Sequence, residues 1–245
     1  MTDNKMRTEI LNIDKGQCLT DVLPAIPANT IFDKTITGCG ATHSEIVNAA
    51  RHSIIIEPNI PVILGKKAEH PFLFAVYEGI TKEDVKAYLA GEHDGYRKII
   101  TTPEGFDKKV LPAMHELEIP VYKDYFLLFD ECEKAIQDVG YRGDIYLPVE
   151  DFFKFENKAM VSATPIVPSD PRFEENGFKI LKLVPTYDSR IELTLCTTNN
   201  TVAVMRKLLK RLENETVCVF LNSTETILSL IYALRLQGRS RVFCI

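Results

Sequence analysis

A short turn near the start of the chain combines residue types that could bind a nucleotide phosphate and a metal ion. It is Thr37-Gly38-Cys39-Gly40-Ala41-Thr42, which lies between an apolar run and a helical pattern. Glycines in such a turn let backbone N–H groups approach a phosphate, and the helix start adds positive potential. The Thr42 hydroxyl could bind Mg²⁺. A phosphate-binding loop has lysine where this chain has Ala41, so a tight turn that binds nothing remains an alternative.

Two carboxylates follow a strongly apolar segment in the middle of the chain. Tyr125–Phe129 is five apolar residues in a row and predicts a central strand, and Asp130 and Glu131 come directly after it. In open α/β sheets, ligands bind at the carboxyl ends of the strands. Asp130 would hold Mg²⁺ there, and Glu131 would orient a water for attack on a γ-phosphate. The alternative is a helix that begins with acidic residues, which is common.

A third apolar run ends in small hydroxyl residues. It is Met160-Val161-Ser162-Ala163-Thr164-Pro165. The hydroxyl groups of Ser162 and Thr164 could donate hydrogen bonds to the acidic pair and report on the nucleotide. A strand that simply stops at a proline is the alternative.

The order and spacing of these segments favour one interpretation. The glycine turn, the acidic pair and the Ser-Ala-Thr segment follow one another at intervals of roughly 90 and roughly 30 residues. This arrangement resembles the first RecA-like domain of the superfamily 2 helicases, the DEAD/DEAH-box group. The turn is similar to motif I, Asp130–Glu133 (DECE) to motif II and Ser162–Thr164 (SAT) to motif III. Weaker matches are Ile54–Pro58 to motif Ia, Ile99–Gly105 to motif Ib and Val217–Ser223 to motif IV.

The resemblance implies a fold, a cofactor and a set of site residues. The fold would be α/β, a three-layer P-loop NTPase (RecA-like) parallel sheet with helices on both faces, followed by the beginning of a second RecA-like domain. The implied activity is Mg-ATP binding and hydrolysis coupled to DNA or RNA. Asp130 and Glu131 would be catalytic, Asp130 and Thr42 would hold Mg²⁺, and Thr37, Gly38, Cys39, Gly40, Ala41, Thr42, Ser162 and Thr164 would bind nucleotide. Nucleic-acid contacts would come from Pro58, Thr101, Thr102 and Gly105.

Two departures from the family pattern weaken the implied activity. Ala41 removes an ammonium that grips phosphate, and a charged hydrogen bond contributes on the order of 1.5–3 kcal/mol. The family's motifs V and VI, which include an arginine finger, would lie beyond Ile245. We therefore expect weak or absent turnover in this chain, with the rest of a longer helicase chain as one partner. The alternative function is a non-catalytic RecA-like binding or scaffolding module that has lost ATP turnover.

The pattern along the chain alternates short apolar runs with helical segments, which indicates a parallel sheet with crossover helices. We predict a first domain over 1–185, of which 1–29 is an N-terminal extension. A linker over 186–200 and a partial second domain over 201–245 follow. Further strands are predicted at 191–196, 216–221 and 241–245.

Composition excludes several classes of protein. Of the 245 residues, 45% are apolar and 26% charged, which is typical of a globular chain. The net charge of −5 disfavours a protein that coats nucleic acid by bulk charge. The six cysteines contain no CxxC pair, so a zinc site is not expected. The absence of a signal peptide or an apolar span predicts a cytoplasmic protein without membrane contact.

Overall fold

The computed structural model describes residues 6–132, 147–164, 170–188, 197–211, 219 and 223–238. The chain divides into two compact units, Met1–Ser189 and Arg190–Ile245. Unit 1 contains a single sheet of eight strands, all parallel, in the order β1-β8-β2-β7-β6-β3-β5-β4. The strands are β1 (Thr8–Ile13), β2 (Thr30–Asp33), β3 (His52–Ile56), β4 (Phe74–Val76), β5 (Lys98–Thr101), β6 (Tyr125–Asp130), β7 (Asn157–Ser162) and β8 (Lys179–Pro185).

Helices connect the strands and cover both faces of this sheet. In unit 1 they are α1 (Leu19–Val22), α2 (Ala41–Val47), α3 (Ile60–Glu69), α4 (Lys82–Ala90), α5 (Pro103–Gly105), a π-helical turn (Phe106–Val110), α6 (Leu111–Glu116), α7 (Val121–Asp124), α8 (Leu147–Lys154) and α9 (Arg172–Glu175). Unit 2 contains α10 (Thr201–Arg211) and α11 (Thr224–Ala233). The guanidinium of Arg206 on α10 donates to the carbonyl of Ala233 at 3.0 Å.

Alternating side chains of the central strand divide the core into two layers. Leu127 and Phe129 face a cluster that includes Val85 of α4 and Phe106 of the π-helical turn. Phe126 and Leu128, one residue out of phase, face a second cluster on the other side of the sheet, which α1, α2 and α3 cover. All six residues of β6 are buried, as expected for a parallel strand with both faces covered. The predicted α/β fold with helices on both faces of a parallel sheet is confirmed.

Several elements of unit 1 were not predicted, and strand β1 and helix α3 are two of them. Strand β1 lies in the segment that we expected to be an N-terminal extension, and it pairs with β8 in the register Thr8↔Ile180 to Ile13↔Pro185. Helix α3 follows β3, with a proline in its first turn. The helical segment after β5 contains the π-helical turn, in which the Leu111 N–H donates to the Phe106 carbonyl. Pro112 then lies in the first turn of α6, where a missing N–H costs little.

Several predictions lie outside the described residues. They are the strands at 191–196, 216–221 and 241–245, the helix after Cys132 with its Glu133, and nearly all of the motif IV-like segment. No helix in the described ranges is both long enough and apolar enough to cross a membrane.

A buried ion pair lies at the sheet edge where the strands begin. The carboxylate of Glu45 on α2 is completely buried and accepts two hydrogen bonds from the guanidinium of Arg51, one of them at 3.0 Å. The same guanidinium donates to the carbonyl of Ile26 at 2.9 Å and lies 3.4 Å from the centroid of the Phe126 ring. Arg51 therefore satisfies a buried charge, a buried carbonyl and an aromatic face at once.

Lys98 and Ser53 extend this network into the sheet. The Ser53 hydroxyl donates to Glu45, and the Lys98 ammonium donates to Ser53 Oγ at 2.9 Å. Lys98 Nζ also lies 3.7 Å from Glu45 Oε1. Burial lowers the pKa of Lys98 to about 8, and the nearby positive charge of Arg51 acts in the same direction. The fold thus buries the Glu45 carboxylate and the Lys98 ammonium at the edge where the strands begin, and Arg51, which is 24% exposed, covers them from the surface.

Candidate functional site

The sequence-predicted site residues lie at the carboxyl ends of neighbouring strands. The glycine turn follows β2. Asp130 is the last residue of β6 and Ser162 the last residue of β7, and β7 lies between β2 and β6 in the sheet. Strand β3, on the other side of β6, also ends here. Because all these strands are parallel, the side chains that follow them share one edge of the sheet.

The glycine turn is held against the first carboxylate. The Thr42 hydroxyl donates a hydrogen bond to Oδ2 of Asp130, which is only 2% exposed. Gly38 and Gly40 have φ angles of 74° and 86°, in the left-handed region that favours glycine. These two positions allow the chain to turn sharply from β2 into α2 and bring Thr42 to the end of β6.

A lysine that the motif comparison did not select occupies the centre of the site. Lys34 follows β2 directly, and its ammonium lies 2.8 Å from Glu131 Oε1 and 3.4 Å from Asp130 Oδ1. Its side chain is only 11% exposed. Burial opposes the charged form, but the charges of Asp130 and Glu131 outweigh it and raise the pKa of Lys34 above its ordinary value. The acidic pair is thus neutralised by a cation from outside the glycine turn.

The Ser-Ala-Thr segment contacts the site through its backbone. The carbonyl of Ser162 accepts a hydrogen bond from the Lys34 N–H at 2.9 Å. The hydroxyl of Ser162 accepts one from the Thr164 N–H, also at 2.9 Å. Ser162 is fully buried. The segment therefore fixes the backbone of Lys34, and the Ser162 hydroxyl is used within the segment itself.

A third carboxyl group completes this edge of the sheet. Glu57 follows β3 and is 2% exposed, and its Oε1 accepts hydrogen bonds from the backbone and side-chain N–H groups of Asn59, each at 2.8 Å. Burial, and after it the negative charge of Asp130, raise the pKa of Glu57 to about 7. Glu57 belongs to the motif Ia-like segment Ile54–Pro58, in which the sequence resemblance points to Pro58 alone.

Three of the four predicted nucleic-acid contacts line an open groove. Pro58, Thr102 and Gly105 line a cavity of about 350 Å³, together with Ile60, Tyr77, Glu78, Glu104, Lys108 and Lys109. Thr101 is fully buried, and its hydroxyl donates to the Thr102 carbonyl at 3.1 Å. Gly105 is buried and donates its N–H to the Thr102 hydroxyl at 3.0 Å. Thr101 therefore does not line the groove, whereas Thr102, which is 8% exposed, and Gly105 do.

The donor atoms suit a magnesium ion better than a transition metal. The Asp130 carboxylate and the Thr42 hydroxyl are hard oxygen donors already in contact. Within the described residues, no group of three or more His, Cys, Asp or Glu side chains could hold a metal ion. Mg²⁺ typically uses one or two carboxylates together with water and substrate phosphate, so a single carboxylate beside a hydroxyl fits it.

Comparisons with known proteins bear on the fold. No family model matches the chain, and no curated protein matches its sequence. Among solved structures, the crystal structure of the DUF1998 helicase MrfA superimposes on it with a TM-score of 0.58. The fold is helicase-like. The alignment has 14% sequence identity and covers 89% of this chain but only 38% of the MrfA chain. The helicase-like fold thus spans well under half of that protein, and at this identity the similarity concerns the fold alone.

Proposed function

We propose that this chain is a helicase-like module that binds Mg-ATP at the carboxyl edge of its sheet. The observation that carries the proposal is the direct contact between Thr42 and Asp130, side chains that are far apart in the sequence. Thr42 lies in the first turn of α2, after a glycine turn with two left-handed residues, and Asp130 is the last residue of β6. These positions suit a phosphate-binding loop and a metal-binding carboxylate.

Each residue of the site has a role in this proposal. Asp130 and Thr42 would hold Mg²⁺, and the bound ion would neutralise charge that develops on the phosphates. Backbone N–H groups of the Gly38–Thr42 segment would bind phosphate oxygens. Glu131, whose carboxylate lies beside Asp130, would orient the attacking water if hydrolysis occurs. Ala41 favours the second candidate, a binding module without turnover.

Titration calorimetry with Mg-ATP tests the proposal. We expect wild-type protein to bind Mg-ATP, and we expect Asp130→Asn to lose at least tenfold in affinity, because it removes the metal-binding charge. Asp94→Asn, at an exposed aspartate away from the site, is the matched control and should bind as wild type does. Wild-type binding that is equally strong with EDTA would contradict a magnesium site. No binding at all would reject the proposed function.

The groove beside the site is proposed to contact a nucleic-acid backbone. Lys108 lies exposed at its rim, and Thr102 lines its wall. Lys108→Gln should weaken binding of single-stranded DNA or RNA and reduce the slope of log affinity against log salt by about one. Fluorescence anisotropy at several salt concentrations measures both, with Lys15→Gln at an exposed site as control. An unchanged salt slope would exclude Lys108 from the interface.

A further inference from the structure

The cation at the acidic pair comes from an unexpected position in the chain. Position 41, where the related loops have lysine, holds an alanine that is 4% exposed and packs in the core with Phe32 and Ile46. Lys34, at the end of β2, instead extends its ammonium to the acidic pair across the end of β7.

The surroundings of Lys34 hold its ammonium at the place where Mg²⁺ and phosphate would meet. Asp130 is shared: its Oδ2 accepts from the Thr42 hydroxyl, and its Oδ1 lies 3.4 Å from Lys34 Nζ. The backbone of Lys34 is fixed at the other end by the hydrogen bond to Ser162. The ammonium therefore lies 3.4 Å from the proposed metal ligand, and its flexible four-carbon stem can redirect it over a short distance.

We propose that Lys34 is the phosphate-binding lysine of this site and that it binds the terminal phosphates of a nucleoside triphosphate. This inference rests on the proposed function. In the structure described above, the acidic pair neutralises the ammonium. With Mg²⁺ held by Asp130, the ammonium would keep Glu131, 2.8 Å away, as its carboxylate partner and would direct its remaining N–H donors toward phosphate oxygens. In this proposal the lysine that binds phosphate comes from the position directly after β2, and not from the glycine turn.

A substitution that removes the positive charge of Lys34 tests this proposal. Lys34→Gln keeps hydrogen-bond donors for Asp130 and Glu131 but carries no charge, and circular dichroism checks that the variant is folded. We expect Mg-ATP affinity to fall about 10–150-fold, the range for a lost charged hydrogen bond. The affinity for AMP, which lacks the terminal phosphates, should fall less than about threefold. Lys34→Arg keeps the charge and should retain most of the ATP affinity.

The matched control is Lys182→Gln. Lys182 lies on β8, beside β2, and its ammonium is 3.6 Å from Asp33 Oδ2, so it is a lysine near the same loop with a different partner. It should bind Mg-ATP as wild type does. If Lys34→Gln binds Mg-ATP normally, or loses ATP and AMP to the same extent, Lys34 is only a structural counter-ion and the inference is wrong. That result, with wild-type binding and the Asp130→Asn loss intact, leaves the proposed function standing, whereas absent wild-type binding overturns both.

Discussion

Arg51→Ala should lower the free energy of unfolding by about 3–5 kcal/mol, the cost of removing one partner from a buried ion pair. The substitution leaves the Glu45 carboxylate, which is fully buried, with the Ser53 hydroxyl and a lysine 3.7 Å away. It also deprives the Ile26 carbonyl of its guanidinium donor and uncovers the Phe126 ring. Urea denaturation followed by circular dichroism measures the difference.

Arg172→Ala is the matched control for this loss. Arg172 also pairs with two carboxylates, Asp170 and Glu150, and its guanidinium lies 4.4 Å from the Phe153 ring centroid. These two carboxylates are 32% and 66% exposed, whereas Glu45 is fully buried, so solvent screens the Arg172 pairs and the cost should stay at about 1 kcal/mol or below. Equal losses in the two variants would show that the burial of Glu45 is not what makes Arg51 important.

Glu57→Gln should make the protein more stable than wild type above neutral pH, by about 3 kcal/mol at pH 8. The pKa of Glu57 is about 7 in the folded chain and 4.5 as an ordinary value. The native state therefore holds the proton more tightly than the unfolded state does. The stability that this proton contributes is fully present below about pH 4.5 and is lost as the pH rises through 7. Glutamine keeps an oxygen for the Asn59 donors and has no proton to lose.

The comparison needs two pH values and a surface control. At pH 4.5 the glutamate is protonated in the folded protein, so wild type and Glu57→Gln should unfold at nearly the same urea concentration. At pH 8 their midpoints should separate, with the variant higher. Glu92→Gln, at an exposed position, should show no such separation. A constant difference between wild type and Glu57→Gln at both pH values would contradict the raised pKa.

The central part of the fold could be predicted from the sequence because its signal is local. Tyr125–Phe129 is apolar throughout, as a strand covered on both faces must be, and Thr81 with Asp84 forms the capping box that starts α4. Strand β1 was missed because its pairing partner is about 170 residues away, and its alternating, half-exposed pattern resembles an ordinary polar segment. Helix α3 was missed because Ile60-Pro61-Val62-Ile63-Leu64 is a short apolar run with a proline, which does not distinguish a helix from a loop.

The candidate site divides in the same way. Thr42 and Asp130 belong to compact sequence patterns, so the sequence predicts them as site residues. The structure places them in contact. Lys34 and Glu57 follow strands without any motif around their charge, and only the strand order puts them beside Asp130. Strand order in a parallel sheet depends on crossover connections, which short patterns do not encode.

The pairing of β1 with β8 has a consequence for folding during synthesis on the ribosome. At ordinary elongation rates of 5–20 residues per second, β1 emerges roughly 10–35 s before its partner is made. During that interval its backbone hydrogen-bonding groups are open to other nascent chains. Glu9, the second residue of β1, places a charge on the unpaired strand, and its ion pair with Lys179 of β8, at 2.7 Å, forms when the correct partner is present. The charge of Glu9 thus disfavours pairing of β1 with other strands until β8, which ends at Pro185, has been synthesised.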